Sequence, residues 1–377
     1  MTPNLPTKRP EPEETFTGQV HKYHSNFYYV AVSEADFSNT LLACSIKGML
    51  KKALKADDEA GSVLVGDHVT LDNVDPVNNT ARIIKIAPRR NLISRPKIAN
   101  VDQVIVVHPY KEPDFDTTQV DRYLIRIALS QLPAVVCVSK SDLVDDREST
   151  LDDIKALYHT QLGYPVVFTS IYEAEELNIL KAKCQQKISV MAGPSGGGKS
   201  SLLNALNPKL NLKTGDVSAK IERGQHTTRH VELVAVGNET FIADTPGFSQ
   251  LRFDDVLPRQ LENAFHEFSP YRSQCSFSDC LHKDEDGCAV LSSTGADKIP
   301  ESRYASYRLF LEEALTYKQQ AQDSSDKSEY GYKKIQGKGN KEVNILRLKE
   351  KNREASRRTQ RQQVSSMLDD VETDDLD

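Results

Sequence analysis

Apolar positions fall into two regimes along this chain. Between residues 17 and 90 they come as short runs rich in β-branched and aromatic residues: FYYVAV (27–32), LLACSI (41–46), HVTLDNV (68–74) and TARIIKI (80–86). Turn pairs such as Gly66-Asp67 and Asn78-Asn79 separate them. Short runs with this punctuation predict strands. Several of them within about 75 residues predict a small barrel. An OB-fold, a five-stranded barrel that binds oligonucleotides, fits; so does an SH3-like barrel.

From residue 102 the pattern changes. QVIVVHP (103–109) and AVVCVSK (134–140) are compact apolar runs of the kind that forms buried parallel strands. Residues 117–130 between them carry apolar positions at helical spacing. PVVFTS (165–170), KISVMAG (187–193) and ETFIADTPG (239–247) continue the series, and residues 199–206 predict a helix. Alternating strands and helices predict an α/β fold with a mostly parallel, doubly wound sheet covered on both faces. Residues 260–320 read as a mixed helical region. Beyond about residue 321 the polar stretch QQAQDSSDKSEYGYKK predicts departure from the compact body. No internal repeat is present.

Composition narrows the class. The chain has 377 residues, 38% hydrophobic and 27% charged, which is enough for two or three globular domains. No apolar run approaches the ~18 residues that would span a membrane. The opening MTPNLPTKRPEPEETF is polar, acidic and Pro-rich. It lacks the apolar core of a signal peptide, so residues 1–16 are expected to be disordered and the protein cytoplasmic, with no membrane partner. The net charge of -6 does not announce a nucleic-acid partner. Its distribution is more telling: residues 333–361 hold eleven Lys or Arg against three Glu, and the last nine residues hold six acids. Such a segment is an interaction tail or a solvated surface helix.

The chemistry concentrates in a few motifs. Gly193, Pro194, Ser195, Gly196, Gly197, Gly198, Lys199 and Ser200 match G-x-x-x-x-G-K-[ST]. In such a loop, backbone N–H groups and the helix N-terminus behind them cradle phosphates. Lys199 would reach the β- and γ-phosphates, Ser200 would ligate Mg²⁺, and Ser201 follows on the same turn. A chance Gly-rich turn is the plain alternative. Asp244-Thr-Pro-Gly247 ends a predicted strand some 45 residues on. There Asp244 can hold the Mg²⁺ shell and the Gly247 N–H can sense the γ-phosphate. Between them, His226, Thr227 and Thr228 form a candidate switch loop. An ordinary polar loop is the alternative.

The base-reading residues lie upstream. Guanine-specific phosphate-loop proteins use N-K-x-D at a strand end. Here Ser139, Lys140, Ser141 and Asp142 follow the strand AVVCVS. Asp142 can accept from guanine N1–H and the 2-amino group, and the Lys140 stem can pack along the base. Ser170, ending FTS, occupies the place of the loop that backs the base. The chain order is thus base, backing loop, phosphate, switch, metal. A parallel sheet tolerates that rotation, because all these loops meet at the C-terminal ends of strands.

With its barrel, NLISRPKIANVDQ, SKSD, GPSGGGKSSLLN, RGQHTTRHVEL, DTPGF and a Cys cluster in this order, the chain resembles the circularly permuted GTPases of the RsgA (YjeQ) family over roughly residues 17–320. The resemblance implies GTP hydrolysis with Mg²⁺ in late assembly of the small (30S) ribosomal subunit, contact with rRNA by the barrel and the zinc domain, and a monomer. It implies domains at 17–90 (OB-fold), 91–255 (permuted GTPase) and 256–320 (helical, zinc-binding), then a basic and acidic tail over 321–377. Phe248 follows Gly247 where many GTPases carry a water-orienting Gln. The family is thought to use a switch-loop His instead, which carries over to His226, with Thr228 and Lys199 beside it in catalysis; a surface role is the alternative for His226. Ser139 departs from the usual Asn, which touches guanine N7 and ties the base loop to the phosphate loop. Ser is shorter, so weaker guanine affinity is expected.

Cys275, Cys280, His282 and Cys288 read C-x4-C-x-H-x5-C. Three thiolates and one imidazole suit one closed, structural Zn²⁺ site; metal-free thiols are the alternative. Cys44, Cys137 and Cys184 are scattered among apolar residues and read as core. Candidate RNA-facing residues of the barrel are Lys51, Lys52 and Lys55, Phe27, Tyr28 and Tyr29, then Arg89, Arg90 and Arg95. Two other function classes stay open: a phosphate-loop ATPase or small-molecule kinase, and an RNA-binding protein with a non-catalytic nucleotide site.

Overall fold

A computed structural model describes residues 14–32, 40–56, 62–94, 97–144, 147–210, 231–244, 252–253, 255–295, 298–329, 332–336 and 342–346. The barrel comprises β1 (Phe16–His24), β2 (Phe27–Val32), β3 (Leu41–Ile46), α1 (Gly48–Ala56), β4 (His68–Asp75) and β5 (Thr80–Ile86). Its strands run in the order β1-β2-β3-β5-β4, and β4 pairs back onto β1 to close it. Only β3 and β5 are parallel, with Ala43 opposite Thr80 and Ile46 opposite Ile83. A parallel pair requires a crossover, and the chain makes it through α1 and β4. α1 was not anticipated from the sequence. It places Leu54 among Val20, Val30, Leu42, Leu71 and Ile83 in the barrel core. This closed five-stranded arrangement favours the OB-fold over the SH3-like alternative.

A short hairpin of β6 (Leu92–Ser94) and β7 (Lys97–Ala99) links the barrel to the α/β part. Arg89 makes two bonds to Asp67, Nε to Oδ1 at 2.8 Å and Nη2 to Oδ2 at 2.9 Å. Its Nη2 also donates to Ser62 O. Arg90 pairs with Asp102 at 2.8 Å. Arg89, read from the sequence as a phosphate contact, is therefore engaged inside the protein, whereas Arg90 stays exposed beside its ion pair. The Asp67 carboxylate is fully buried and needs the bidentate guanidinium to offset its desolvation.

The α/β part contains β8 (Gln103–Pro109), α2 (Thr117–Leu129), β9 (Ala134–Ser139), α3 (Arg147–Lys155), β10 (Val166–Thr169), α4 (Ala174–Cys184), β11 (Ile188–Ala192), α5 (Lys199–Leu206), β12 (Glu232–Gly237) and β13 (Thr240–Asp244). The strand order β10-β9-β8-β11-β13 is parallel throughout, and β12 joins antiparallel to β13. Every residue of β8, β9 and β11 is buried, as their unbroken apolar runs require. Alternate residues serve opposite faces. Val104, Val106, Val136 and Val190 meet Val120, Leu124 and Ile127 of α2. Ile105, Val107, Cys137 and Met191 meet Leu180 and Cys184 of α4 and Leu202, Leu203 and Leu206 of α5. Each large aliphatic so buried contributes about 1.5–3 kcal/mol. Cys44, Cys137 and Cys184 are buried free thiols, as expected. The sheet is continuous with the barrel through one pair, Lys22 opposite Glu232, reinforced by a 2.8 Å ion pair.

α6 (Pro258–Ala264), α7 (Ser269–Arg272), α8 (Ala289–Ser292) and α9 (Glu301–Glu329) follow. Arg303 on α9 is wholly buried, bonded to Asp121 of α2 at 2.7 Å and to Glu267 at 2.5 Å. Glu313 accepts both Nη1 and Nη2 of Arg122, each at 2.8 Å, and the Phe253 N–H at 3.0 Å. The chain divides into two compact units, Met1–Phe253 with Pro258–Glu313, and Asp254–Leu257 with Ala314–Asp377. The second contains the end of α9, which passes residue 321, and a hairpin of β14 (Tyr332–Gln336) and β15 (Glu342–Leu346). Among the described residues no helix is long and apolar enough to cross a membrane.

Candidate nucleotide site and metal centre

Five parallel strands end at one edge of the sheet, and the sequence motifs sit on the loops that leave it. β11 delivers the phosphate loop. Gly193 has φ of 146°, and a Cβ there would stand 1.9 Å from Val107 O of β8, so only glycine fits. Gly196 and Gly198 also take positive φ, 78° and 86°. Gly198 caps α5 and turns the chain so that the helix N-terminus faces the loop. Lys199 Nζ lies back over the loop, donating to Gly193 O at 2.9 Å and Pro194 O at 2.7 Å. Ser200 and Ser201 lie partly buried in the first turn of α5. A loop free of Cβ atoms at four positions, a helix N-terminus and one ammonium are the donor set that a polyphosphate requires. Asp244 closes β13 directly opposite Met191, two residues before Gly193.

β9 delivers the base loop beside it. Ser139 is buried, and its Oγ donates to Gly197 O at 2.6 Å. The shorter side chain therefore keeps the tie between base loop and phosphate loop that the sequence placed in doubt. It can do so because Gly198 is bare: a Cβ there would lie 3.4 Å from Ser139 Oγ. Lys140 sits in the left-handed region at φ 57°, and its Nζ donates to Glu112 O at 2.6 Å. Ser141 Oγ donates to Glu176 Oε2 of α4 at 2.7 Å. Asp142 is exposed, and its carboxylate has no hydrogen bond or ion pair among the described residues. Ser170 is buried at the end of β10, where its Oγ accepts from Tyr172 N at 3.2 Å. His226, Thr227, Thr228 and Gly247 lie outside the described residues, as does Arg95.

A second centre lies among the C-terminal helices. The ligand atoms of Cys275, Cys280, His282 and Cys288 all fall within 4.8 Å of one another. His282 Nδ1 is 3.6, 3.3 and 3.4 Å from the three sulfurs. A tetrahedral zinc, with about 2.3 Å to sulfur and 2.0–2.1 Å to nitrogen, places S and N about 3.5 Å apart. The opposite ring nitrogen, Nε2, faces Glu262 Oε1 at 3.2 Å, the carboxylate partner that orients a metal-bound imidazole. Burial alone would raise the Glu262 carboxyl. Its bonds to His282 and Arg259 outweigh that and hold it below the usual range. Backbone N–H groups of His282 and Leu291 point at Cys280 Sγ and Cys288 Sγ, at 3.4 and 3.3 Å, as they would toward thiolates. Tyr304 and Tyr307 of α9 brace the loop by donating to His282 O at 2.7 Å and Leu281 O at 2.5 Å. The donor set is closed and fits a structural Zn²⁺.

The RsgA GTPase family model matches residues 86–254. The small ribosomal subunit biogenesis GTPase RsgA of Bacillus cereus is 40% identical over 296 residues, covering 78% of this chain and 96% of that protein. Its Bacillus anthracis counterpart matches equally. Among solved structures, YjeQ from Thermotoga maritima aligns with a TM-score of 0.66 at 33% identity, over 80% of this chain and 99% of that one. The circularly permuted GTPase YloQ aligns with a TM-score of 0.66 at 30% identity, over 82% and 98%. The chain belongs to the RsgA GTPase family.

Several residues that shape this RsgA-family site escape sequence reasoning. Glu112, Glu176 and Glu262 each fix a motif residue across 20 to 35 positions of sequence. Single acids in ordinary helical or loop context carry no local signal. The positive φ of His282, 58°, likewise shows only in the folded loop.

Proposed function

We propose that this chain is a Mg²⁺-dependent GTP hydrolase that binds the small ribosomal subunit through rRNA late in its assembly and leaves on hydrolysis. The reading assigns an OB-fold domain to 17–90, a permuted GTPase domain to 91–255, and a zinc domain to 256–320. It takes the protein to act as a cytoplasmic monomer. The observation that carries it is the 2.6 Å bond from Ser139 Oγ to Gly197 O, which joins the base loop bearing Asp142 to the phosphate loop bearing Lys199. The family membership and the relatives' description as small ribosomal subunit biogenesis GTPases support the substrate and the partner.

In this reading Asp142 accepts from guanine N1–H and the 2-amino group, and Ser170 backs the base. Residues 193–198 and Lys199 hold the phosphates, with Ser201 beside them. Ser200, Thr227 or Thr228, and Asp244 would hold Mg²⁺, which neutralises phosphate charge when bound. The Gly247 N–H senses the γ-phosphate, and His226 orients the attacking water. Catalysis is then mostly positioning and electrostatics. Replacing His226 by Ala is expected to lower hydrolysis about 10²-fold or more while leaving GTP affinity within about twofold. Single-turnover phosphate release alongside equilibrium nucleotide titration checks both; unchanged turnover removes His226 from the mechanism.

The deciding experiment is phosphate release from GTP, with ATP as control, with and without purified small ribosomal subunits. Slow GTP turnover that rises sharply with the subunit, with none on ATP, is the expected result. Equal ATP turnover moves the weight to a phosphate-loop ATPase or kinase. GTP binding without turnover moves it to an RNA-binding protein with a passive nucleotide site.

A further inference from the structure

Ser139 has a single hydroxyl proton. Its Oγ lies 2.6 Å from Gly197 O, which can only accept, so the proton points there. The side chain is 2% exposed and lies beside the bare Gly198. Guanine N7 is also an acceptor. A hydroxyl committed to a carbonyl offers N7 only lone pairs. The position that carries an amide N–H in an Asn-type motif therefore presents no donor to the base. Its neighbours do not replace it. The Ser141 hydroxyl donates to Glu176 Oε2 at 2.7 Å, and the Lys140 ammonium is drawn across to Glu112 O at 2.6 Å. The only exposed group of Ser139–Asp142 with no partner among the described residues is the Asp142 carboxylate, an acceptor. It suits the N1–H and 2-amino donors and has nothing to offer N7.

From this geometry we infer that the base pocket reads the Watson–Crick edge of guanine and is blind at N7, so that it takes 7-deazaguanine nucleotides as readily as guanine nucleotides. Ser139 is then a specificity-determining residue. It keeps the mechanical half of the usual asparagine's task, the tie to the phosphate loop, and gives up the recognition half. The inference rests on the guanine-nucleotide reading of this site.

The test uses the full chain and displacement of a fluorescent N-methylanthraniloyl-GDP by GDP and by 7-deaza-GDP, diphosphates that avoid hydrolysis. The two competitors are expected to bind within about twofold of each other, well inside the span of one hydrogen bond. Ser139→Ala removes the tie and is expected to weaken both equally. Ser139→Asn, if it is accommodated beside Gly198, is expected to create a preference for GDP of about fivefold or more, the worth of one recovered hydrogen bond. The wild-type and Ala proteins decide the matter even if the Asn variant does not fold. Binding of 7-deaza-GDP about fivefold or more weaker than GDP by the wild type overturns the inference. If that preference vanished in Ser139→Ala, Ser139 itself would turn to N7 on binding; if it persisted, another donor would read it. Failure of the labelled GDP to bind at all would instead overturn the guanine-nucleotide reading, an outcome distinct from discrimination between two bases that both bind.

Discussion

Replacing Lys199 by Ala is expected to lower the affinity for GDP and GTP by about 10- to 100-fold and leave the fold intact. Charge-assisted hydrogen bonds contribute about 1.5–3 kcal/mol each, and in the proposed reading Lys199 would bring the only ammonium of the loop to the phosphates. Nζ rests on Gly193 O and Pro194 O, at 2.9 and 2.7 Å, at a partly exposed position. Those carbonyls can turn to water when the side chain is cut back, so the cost to stability is small. The loop shape does not depend on Lys199, because Gly193 is wedged against Val107 O and Gly197 N donates to Pro194 O at 3.1 Å. Thermal melts separate the two effects. Ligand at 100 times Kd stabilises by about 2.7 kcal/mol, roughly 5–10 °C for a domain of this size. Wild type should show that shift with GDP. Lys199→Ala should melt near the wild-type apo temperature and shift little at the same GDP concentration. Normal GDP affinity in the variant would remove Lys199 from the phosphate site.

Much of this site could be read from the sequence because its physics is local. The unbroken apolar runs of β8, β9 and β11 admit no solvated face, so they had to be central parallel strands. The spacing from Gly193 to Ser200 dictates a loop turning into a helix. What could not be read is set by distant partners. The Ser139 substitution looked like a loss, because sequence shows its length and not the bare Gly198 and the Gly197 carbonyl beside it. Arg89 looked like a phosphate contact, because the buried Asp67 that claims it is 22 residues away. Helix α1 was hidden in the barrel, since GMLKKALKA reads as a basic run before Leu54 is seen in the core. β12, the run ELVAVG after the polar RGQHTTRH stretch, was not anticipated; it lies antiparallel between β13 and β1.

Removing one zinc ligand is expected to have a large effect on stability, well beyond that of Lys199→Ala. Cys288→Ser should carry almost no zinc, where the wild type carries one equivalent, and the C-terminal helices should melt well below the rest. Binding free energy at a structural zinc site is folding free energy, about 10–16 kcal/mol in isolated zinc-finger peptides. Here part of the frame stands on its own: Phe265, Phe268, Tyr307 and Phe310 pack beneath the site, and Arg303 is locked to Asp121 and Glu267. The loss should therefore fall short of that figure and be confined to the knuckle and the helices it joins. Cys280 shows what an ion would supply to the loop. Burial pushes its thiol up to about 12, so without a cation it stays neutral and gains little from the His282 N–H aimed at it. A divalent ion reverses that balance by holding the thiolate. Glu262→Gln gives the graded control. The imidazole keeps its place but loses its carboxylate partner, and zinc affinity should fall about 10- to 100-fold with the fold retained at saturating zinc. Zinc content by mass spectrometry and melting with and without a chelator measure both. If chelation moved neither the melting temperature nor the behaviour of Cys288→Ser, the four side chains would be metal-free thiols and an ordinary buried histidine.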